Sequence, residues 1–368
     1  MNIDRIELVH VRIPLHEPFR ISSGAVTEKD TIVCAVSAGG LTGLGEASPM
    51  AGSFYSDDSP DSVWTELEER LIPALKRAGD VDAAGAAEIL DAAGGSGFAR
   101  AGLETACRDL EARAQGIPLW RLLGGSGRPV PSGLAVGIYP TADELVAACE
   151  RHLAAGGYRR IKVKIRPGWD VVPLEAVRRR FPGIPLTADA NAAYDRTRHR
   201  DALRALDAFG LEMLEQPLAR GALEDSARLQ GEMRTPICLD ESAEDPAAVD
   251  RAIRLGACRI VNIKLQRVGG FAAGKAMHDL CAAKGIPTWV GTMPELGIAS
   301  WQAVHFATLP HHRFPTDVES SARWFTDEIV DPSVVVRDGF LHLPDGPGTG
   351  VVLRGEVMRK HRVRSAVF

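Results

Sequence analysis

The chain has 368 residues, of which 45% are apolar and 25% charged, and its formal net charge is −5. This length suits one large domain with a second, smaller one, and the composition is typical of a folded globular protein. The negative charge excludes the basic footprint that nucleic-acid binding needs. No run of about 18 apolar residues occurs, so we expect no membrane span.

The cysteines and the N-terminus indicate a reducing compartment. The six cysteines are scattered along the chain without a CxxC pair, as expected for reduced thiols in a core. Residues 1–10 include Asp4, Arg5 and Glu7, and they lack the uninterrupted apolar stretch of a signal peptide. We therefore expect a cytoplasmic protein.

The first 125 residues alternate between strand and helix signals and predict an α+β module. The predicted elements are strands at 3–14 and 31–37, a polar loop around 22–29, a hairpin turn with a third strand from 39–45, and helices at 61–77 and 99–115. A glycine cluster at 124–127 ends the module. It lacks the Gly-Lys-Ser/Thr ending of a phosphate-binding loop and opens no helix, so it is interpreted as a linker.

From residue 126 onward, apolar strands alternate with amphipathic helices. This rhythm predicts a (β/α)8-type barrel over 126–323, with the active site at the C-terminal ends of its strands. The tail, 324–368, contains turn signals and is expected to return to the first module. The predicted barrel strands are 132–139, 160–165, 186–189, 213–215, 237–240, 260–263, 287–292 and 314–318.

Six charged residues follow the barrel strands at regular intervals, and we call them the charge ladder. From the first of them onward the steps are 27, 26, 25 and 24 residues, about one strand-helix unit each. A set of salt bridges at the rim would not explain this spacing. The ladder consists of Lys162 with Lys164, then Asp189, Glu215, Asp240 and Lys264.

The three acids of the ladder predict a metal site. Asp189, Glu215 and Asp240 each end an apolar run, and three carboxylates cannot be buried together without a cation. Oxygen ligands without a nearby His or Cys favour Mg²⁺ or Mn²⁺ over zinc. Asn191 is expected to support the ligands, whereas Glu241 should face away by strand alternation.

The lysines of the ladder predict general bases. Lys162 and Lys164 point to the same side of one strand, so repulsion and burial should lower the pKa of Lys164. A neutral amine accepts a proton near neutral pH. Lys264 would approach from the opposite side. Arg267 would lower the pKa of Lys264 further, although a surface position for Arg267 is an equal alternative.

At these residues the chain resembles the enolase superfamily, in its muconate-lactonizing subgroup. That subgroup carries Lys-x-Lys after the second barrel strand, acidic ligands after the third to fifth, and a lysine after the sixth. Asp-Glu-Ser at 240–242, Asn-Ile-Lys at 262–264 and Val-Gly-Gly at 268–270 add to the match. The resemblance implies a (β/α)7β modified TIM barrel with an N-terminal capping domain, a metal ion, and removal of a proton α to a carboxylate through an enediolate.

Within the subgroup, the chain is most similar to o-succinylbenzoate synthases and N-succinylamino acid racemases. Gly-Glu-Ala-Ser-Pro at 45–49, the 291–298 stretch and Ser-Ser-Ala-Arg-Trp at 320–324 carry this likeness, and Glu295 matches a family glutamate. It implies dehydration or racemisation of a succinyl-bearing carboxylate. As partners we expect a small carboxylate substrate and further copies of this chain in a homo-oligomer. Capping-domain loops with Phe19, Phe54 and Tyr55 are expected to close over the substrate.

Some positions depart from that likeness. Ala135 replaces a small hydroxyl residue, Ser300 replaces an arginine, and Thr292, Pro294 and Leu296 alter the motif after the seventh strand. Asp317 and Glu319 together resemble the acid pair with which dipeptide epimerases hold an ammonium group, although a rim position facing solvent is the alternative. Dipeptide epimerase and muconate-type cycloisomerase therefore remain alternative activities.

Overall fold

The N-terminal part of the chain is an antiparallel hairpin of long strands packed on helices. The computed structural model describes residues 1–50 and 56–368. A π-helical turn, Leu67–Leu71, joins the first two helices of the chain into one rod. The elements are β1 (Arg5–Arg20), β2 (Ala25–Ala38), β3 (Leu41–Ala47), α1 (Pro60–Glu66), α2 (Ile72–Ala78), α3 (Ala83–Ala93), α4 (Gly97–Ala114) and α5 (Leu119–Leu122).

This region confirms the predicted α+β pattern and corrects two details. The loop between the first strands is shorter than predicted, because β2 already begins at Ala25. Lys29 and Asp30 are polar but buried within β2, and Asp30 is paired with His10 and Arg12 of β1. Helix α3 was not predicted, because its alanine-rich sequence has no stripe of large apolar residues.

The central region alternates strand and helix, as predicted. Helix α6 starts where the Thr141 hydroxyl accepts a hydrogen bond from the Glu144 backbone N–H. The elements are β4 (Val130–Pro131), β5 (Leu134–Val136), α6 (Ala142–Gly156), β6 (Ile161–Lys164), α7 (Val171–Arg180), β7 (Leu186–Asp189), α8 (Arg200–Ala205), β8 (Leu214–Glu215), α9 (Leu223–Glu232), β9 (Ile237–Leu239), α10 (Pro246–Leu255), β10 (Ile260–Ile263), α11 (Leu265–Val268), α12 (Phe271–Ala283), β11 (Thr288–Val290) and α13 (Gly297–Ala307).

Strands β5 to β11 form one parallel sheet in chain order, and the predicted eighth strand closes it only partly. Residues 313–317 make isolated contacts with both edges of the sheet. Thr316 bonds the backbone of Pro131 and Gly133, and the Arg313 N–H donates to the Thr288 carbonyl. Pro315 has no N–H, so a continuous ladder cannot form there. The fold is the modified TIM barrel that the sequence predicted, with seven regular strands among the described residues.

The tail crosses back to the N-terminal sheet. Its last strand pairs antiparallel with β1, for example Leu8 with Ala366, and gives the sheet order β16-β1-β2-β3. The domain limits at 125 and 323 stay predictions. The tail elements are α14 (Ser321–Trp324), β12 (Val330–Asp331), β13 (Val336–Arg337), β14 (Phe340–Leu341), β15 (Val352–Leu353), α15 (Gly355–His361) and β16 (Arg362–Val367).

Two further sequence expectations concern the cysteines and the membrane. Each of the six cysteines is buried with a free thiol, as predicted for reduced core residues. Across residues 1–50 and 56–368, no helix is both long enough and apolar enough to cross a bilayer.

One buried carboxylate ties the tail to the N-terminal module. Asp109 of α4 accepts hydrogen bonds from the backbone N–H groups of Leu44 and Thr349, at 2.9 and 2.6 Å. It also pairs with Arg113 at 2.8 Å. A single side chain thus joins β3, α4 and the tail, and its removal leaves several buried donors without an acceptor.

We expect Asp109→Ala to lower the free energy of unfolding by about 3 kcal/mol, since it breaks a buried pair and orphans backbone donors. The matched control is Asp91→Ala, whose carboxylate is 81% exposed beside Arg100. That pair should contribute less than about 1 kcal/mol. Urea unfolding followed by circular dichroism measures both, and equal losses in the two variants would contradict the assignment.

Candidate active site

The carboxyl ends of five neighbouring strands, β6 to β10, place the charge ladder on one arc. In the register of the sheet, Lys164 pairs with Asp189, and Asp189 pairs with Glu215. Asp240 directly follows β9, and Lys264 directly follows β10. Adjacent parallel strands lie about 4.8 Å apart, so the side chains at their ends converge on one mouth.

Asp189, Glu215 and Asp240 form a buried carboxylate cluster. Each of the three is 0% exposed, and one oxygen from each lies within 4.8 Å of the others. Burial raises the pKa of Glu215 to about 8, and the charge of Asp189 adds to this shift. A cation would allow all three to ionise together. The donor set contains oxygen atoms only, which fits a hard divalent metal ion.

Lys162 lies against this cluster, and its ammonium group stays protonated. Its Nζ is 3.0 Å from Glu215 and 3.5 Å from Asp189, and it also contacts Asp317. Burial by itself would lower the pKa of Lys162, but the charges of Asp317, Glu215 and Asp189 outweigh burial and raise it. The side chain is therefore suited to balance negative charge rather than to accept a proton.

Lys164 and Lys264 stand at opposite ends of the arc. The Nζ of Lys164 lies 2.5 Å from Asp189, and the Nζ of Lys264 lies 2.9 Å from Asp240. Both side chains are buried. The carboxylate cluster lies between them in the strand order, so the two amines lie on opposite sides of any group bound at the cluster.

Asn191 and Glu241 lie together beside the cluster. The Asn191 N–H donates to Asp189 at 3.0 Å, and its side-chain amide donates to Glu241 at 3.0 Å. The prediction that Glu241 faces away from the site is wrong, because β9 ends at Leu239 and strand alternation no longer applies. Burial, with Asp240 and Asp189 nearby, raises the pKa of Glu241 to about 7.

Arg267 and Asn262 complete the contacts of the cluster. The Arg267 guanidinium contacts Asp240 and donates to the Asn262 carbonyl at 3.2 Å, so it lies in the site and not on the surface. The Asn262 amide donates to Glu215 at 2.8 Å. Sequence reasoning did not single out Asn262 as a site residue. Alternation could have found it, since Asn262 and Lys264 are two positions apart.

Asp317 is paired with Arg160, a second residue that the sequence reading missed. The guanidinium of Arg160 is completely buried and contacts the Asp317 carboxylate. Burial raises the pKa of Asp317, but Lys162 and Arg160 outweigh it and lower that pKa overall. Arg160, Lys162 and Lys164 occupy alternate positions, which is the sequence signal that points to Arg160.

Glu319 is held by a buried arginine as well. Its carboxylate lies 2.8 Å from Arg323 and accepts a hydrogen bond from the Ala135 N–H at 2.9 Å. Burial raises the pKa of Glu319 to about 7, although Arg323 opposes the shift. The alternative of a solvent-facing rim position for Asp317 and Glu319 is wrong, since both are buried.

A cleft opens beside Lys162 and Lys164, with about 460 Å³ of empty volume including open solvent. The ring of Phe19 packs edge-on against the ring of Trp324, with 4.9 Å between the two ring centroids. The Nζ of Lys164 lies 6.0 Å from the Phe19 centroid. Phe54 and Tyr55 lie outside the described residues. The lining residues are Phe19, Ala135, Lys162, Lys164, Thr292, Met293, Pro294, Glu295, Ser300, Asp317, Val318, Glu319, Ser321, Trp324 and Phe325.

Comparison with known proteins gives the family. The model "Enolase C-terminal domain-like" matches residues 144–357, and "Mandelate racemase / muconate lactonizing enzyme, N-terminal domain" matches residues 4–124. The chain belongs to the enolase superfamily. The resemblance inferred from the charge ladder is thereby confirmed.

The relatives of this superfamily member are enzymes. It is 42% identical to an o-succinylbenzoate synthase of Geobacillus kaustophilus, covering 95% of this chain and 93% of that one. It is 39% identical to an N-succinylamino acid racemase of Thermus thermophilus, covering 96% and 95%. A crystal structure of an enolase-superfamily protein from Listeria innocua superposes with a TM-score of 0.95 at 31% identity, covering 100% and 99%.

The departures from the family pattern surround the cleft of this enolase-superfamily enzyme. Ala135, Thr292, Pro294 and Ser300 line it, whereas Leu296 is fully buried. Glu295 also lines the cleft. Burial raises the pKa of the Glu295 carboxyl to about 8, together with the charge of Glu46 and against that of Lys29.

Proposed function

We propose that the protein removes the proton α to a carboxylate of a small substrate and passes through an enediolate. The observation that carries this proposal is the arc of the barrel mouth, in which Lys164 and Lys264 flank three carboxylates. Such a pair of amines can reach opposite faces of one carbon atom. A proton returned from the opposite face inverts the configuration, and a β-leaving group leads to elimination of water instead.

The proposed metal ion is Mg²⁺ or Mn²⁺, held by Asp189, Glu215 and Asp240. When bound, it supplies positive charge that stabilises the enediolate. Lys162 would add a fixed positive charge beside Glu215, in keeping with its raised pKa. Asn191 and Asn262 would orient Asp189 and Glu215 through the hydrogen bonds described above.

The proposed substrate is a succinyl-bearing acid, either the precursor of o-succinylbenzoate or an N-succinylamino acid. The names of the relatives at 42% and 39% identity support this choice. The cleft supports it as well, because Phe19, Trp324 and Phe325 provide apolar walls for an acyl chain. A homo-oligomeric assembly and a cytoplasmic location stay predictions from the sequence.

Dipeptide epimerisation is the second candidate, and the position of Asp317 and Glu319 in the cleft wall favours it. Their partners argue against it. Asp317 is neutralised by Arg160 and Lys162, and Glu319 by Arg323. An incoming ammonium group would have to displace buried cations that already satisfy both carboxylates. A chloromuconate cycloisomerase of Pseudomonas putida is 28% identical, so cycloisomerisation is a third and weaker candidate.

The two-base proposal predicts that Lys164→Ala and Lys264→Ala each lower racemisation or dehydration at least about 100-fold, the usual contribution of a general base. Far-ultraviolet circular dichroism should show an unchanged fold. The control is Lys275→Ala, an exposed residue paired with Asp279 on α12. Full activity in both active-site variants would rule out the two-base arrangement.

The metal proposal predicts that EDTA abolishes activity and that added Mg²⁺ restores it. Asp240→Asn removes a negative charge from the cluster, so it should weaken Mn²⁺ binding at least about 10-fold. Electron paramagnetic resonance of free Mn²⁺ measures this binding directly. Asp279→Asn, an exposed change on α12, serves as the control. Unchanged Mn²⁺ affinity in Asp240→Asn would contradict the ligand assignment.

The substrate proposal predicts exchange of the α-proton for deuterium when N-succinylamino acids are incubated with the enzyme in D2O. Dipeptides should exchange far more slowly, because Asp317 and Glu319 are already paired. Proton NMR follows both reactions in parallel. Exchange with dipeptides alone would overturn the succinyl assignment and favour the epimerase.

A further inference from the structure

The end of β3 is bound to the barrel by the side chain of Gln266. The Gln266 amide donates to the Glu46 carbonyl at 2.7 Å, and its oxygen accepts from the Ser48 N–H at 2.9 Å. All three residues are buried. One side chain thus satisfies two backbone groups of β3 and its continuation, in the manner of a neighbouring strand. Its loss would leave both groups unpaired in a buried interface.

Gln266 lies two residues after Lys264, on a very short helix. Lys264 is the N-cap residue of α11, and its carbonyl accepts hydrogen bonds from the N–H groups of Arg267 and Val268, each at 3.1 Å. A shift of α11 would therefore move the backbone of Lys264. A Cβ atom at position 97 would collide with the Arg267 backbone, so α11 already packs closely against the start of α4.

Glu46 makes a second contact between the same strand end and the barrel. Its carboxylate accepts from the N–H groups of Leu296 and Ala299, at 3.2 and 3.0 Å. These donors lie at the start of α13. Its N-cap residue is Leu296, whose apolar side chain cannot accept a hydrogen bond. A fully buried glutamate from the N-terminal sheet caps the helix that follows Glu295.

Lys164 has no comparable dependence on β3. It is the last residue of β6 and pairs with Asp189 of β7, and β6 is also paired with β5 on its other side. The N–H of the next residue, Ile165, donates to the Asp189 carbonyl at 2.8 Å. The barrel sheet itself therefore holds Lys164, whereas Lys264 lies just beyond its strand.

We propose that Gln266 is a positioning residue that holds Lys264 in place through the end of β3. We call Gln266, Glu46 and Ser48 the cap latch. The inference rests on the proposed two-base function and deepens it. It states that the N-terminal module controls the position of one of the two bases, Lys264. Disturbing the cap latch should impair proton transfer on the Lys264 face and spare the Lys164 face.

The test measures α-proton exchange in D2O separately for the two enantiomers of an N-succinylamino acid. Lys264→Ala first shows which enantiomer Lys264 deprotonates, since exchange of that enantiomer is lost. Gln266→Met should then lower the kcat of exchange for the same enantiomer about 10-fold more than for the other. The reason is that a small displacement of the Lys264 amine from the α-proton slows proton transfer strongly. Should Gln266→Met not fold, Gln266→Asn keeps the amide but shortens its reach.

The matched control is Gln302→Met. Gln302 is also buried, and its amide donates to the Leu44 carbonyl of β3 at 2.8 Å. Gln302 lies in the middle of α13, so its hydrogen bond joins β3 to α13 and not to α11. We expect this variant to lose stability without a preference between the enantiomers, and thermal unfolding checks its stability.

Equal losses for both enantiomers in the Gln266 variants would overturn the cap latch while leaving the two-base function standing. The same enantiomer preference in Gln302→Met would also overturn it, since a general loosening of the interface would then explain the effect. Absence of exchange with either enantiomer in the wild-type enzyme would overturn the proposed function and the cap latch together.

Discussion

A buried charge needs a partner of opposite sign, and this constraint shapes the mouth of the barrel. Three carboxylates meet at the strand ends, and the lysines of the charge ladder pair with them. Arginines pair with carboxylates around the cluster in the same way. Arg267 contacts Asp240, Arg160 contacts Asp317, and Arg323 contacts Glu319. Low dielectric makes each pair necessary, because an ion left alone there would cost several kcal/mol.

The N-terminal module and the tail are attached to the barrel through buried carboxylates too, but with backbone N–H groups as partners. Glu46 caps α13, and Glu104 accepts from the Phe271 and Ala272 N–H groups at the start of α12. Glu328 of the tail accepts from Gly297. Helix N-termini attract negative charge, which favours these contacts, and Glu104 also has the Arg108 guanidinium 3.5 Å away. The site and its cover are thereby built as one unit.

The barrel and the charge ladder were predictable because their signals are local and repeated. The strand over 186–189 and the strand over 260–263 have the predicted limits. Prediction failed where the chain leaves regular structure. Glu241 lies beyond the last residue of β9, and the predicted eighth strand is reduced to isolated contacts around Pro315. In both places the alternation of a strand no longer governs where the side chains go.

The sequence by itself predicted the barrel and the residues that meet at its mouth, because one strand-helix unit places one residue per strand end. The superfamily was recognised from the resemblance of its motifs to a known family. Only the tertiary structure decided the partners of those residues. Arg323 donates to the Ala135 carbonyl at 2.6 Å, and Gln266 donates to the Glu46 carbonyl of β3 at 2.7 Å. Contacts between residues distant in sequence depend on how whole elements pack, and no local pattern records that packing.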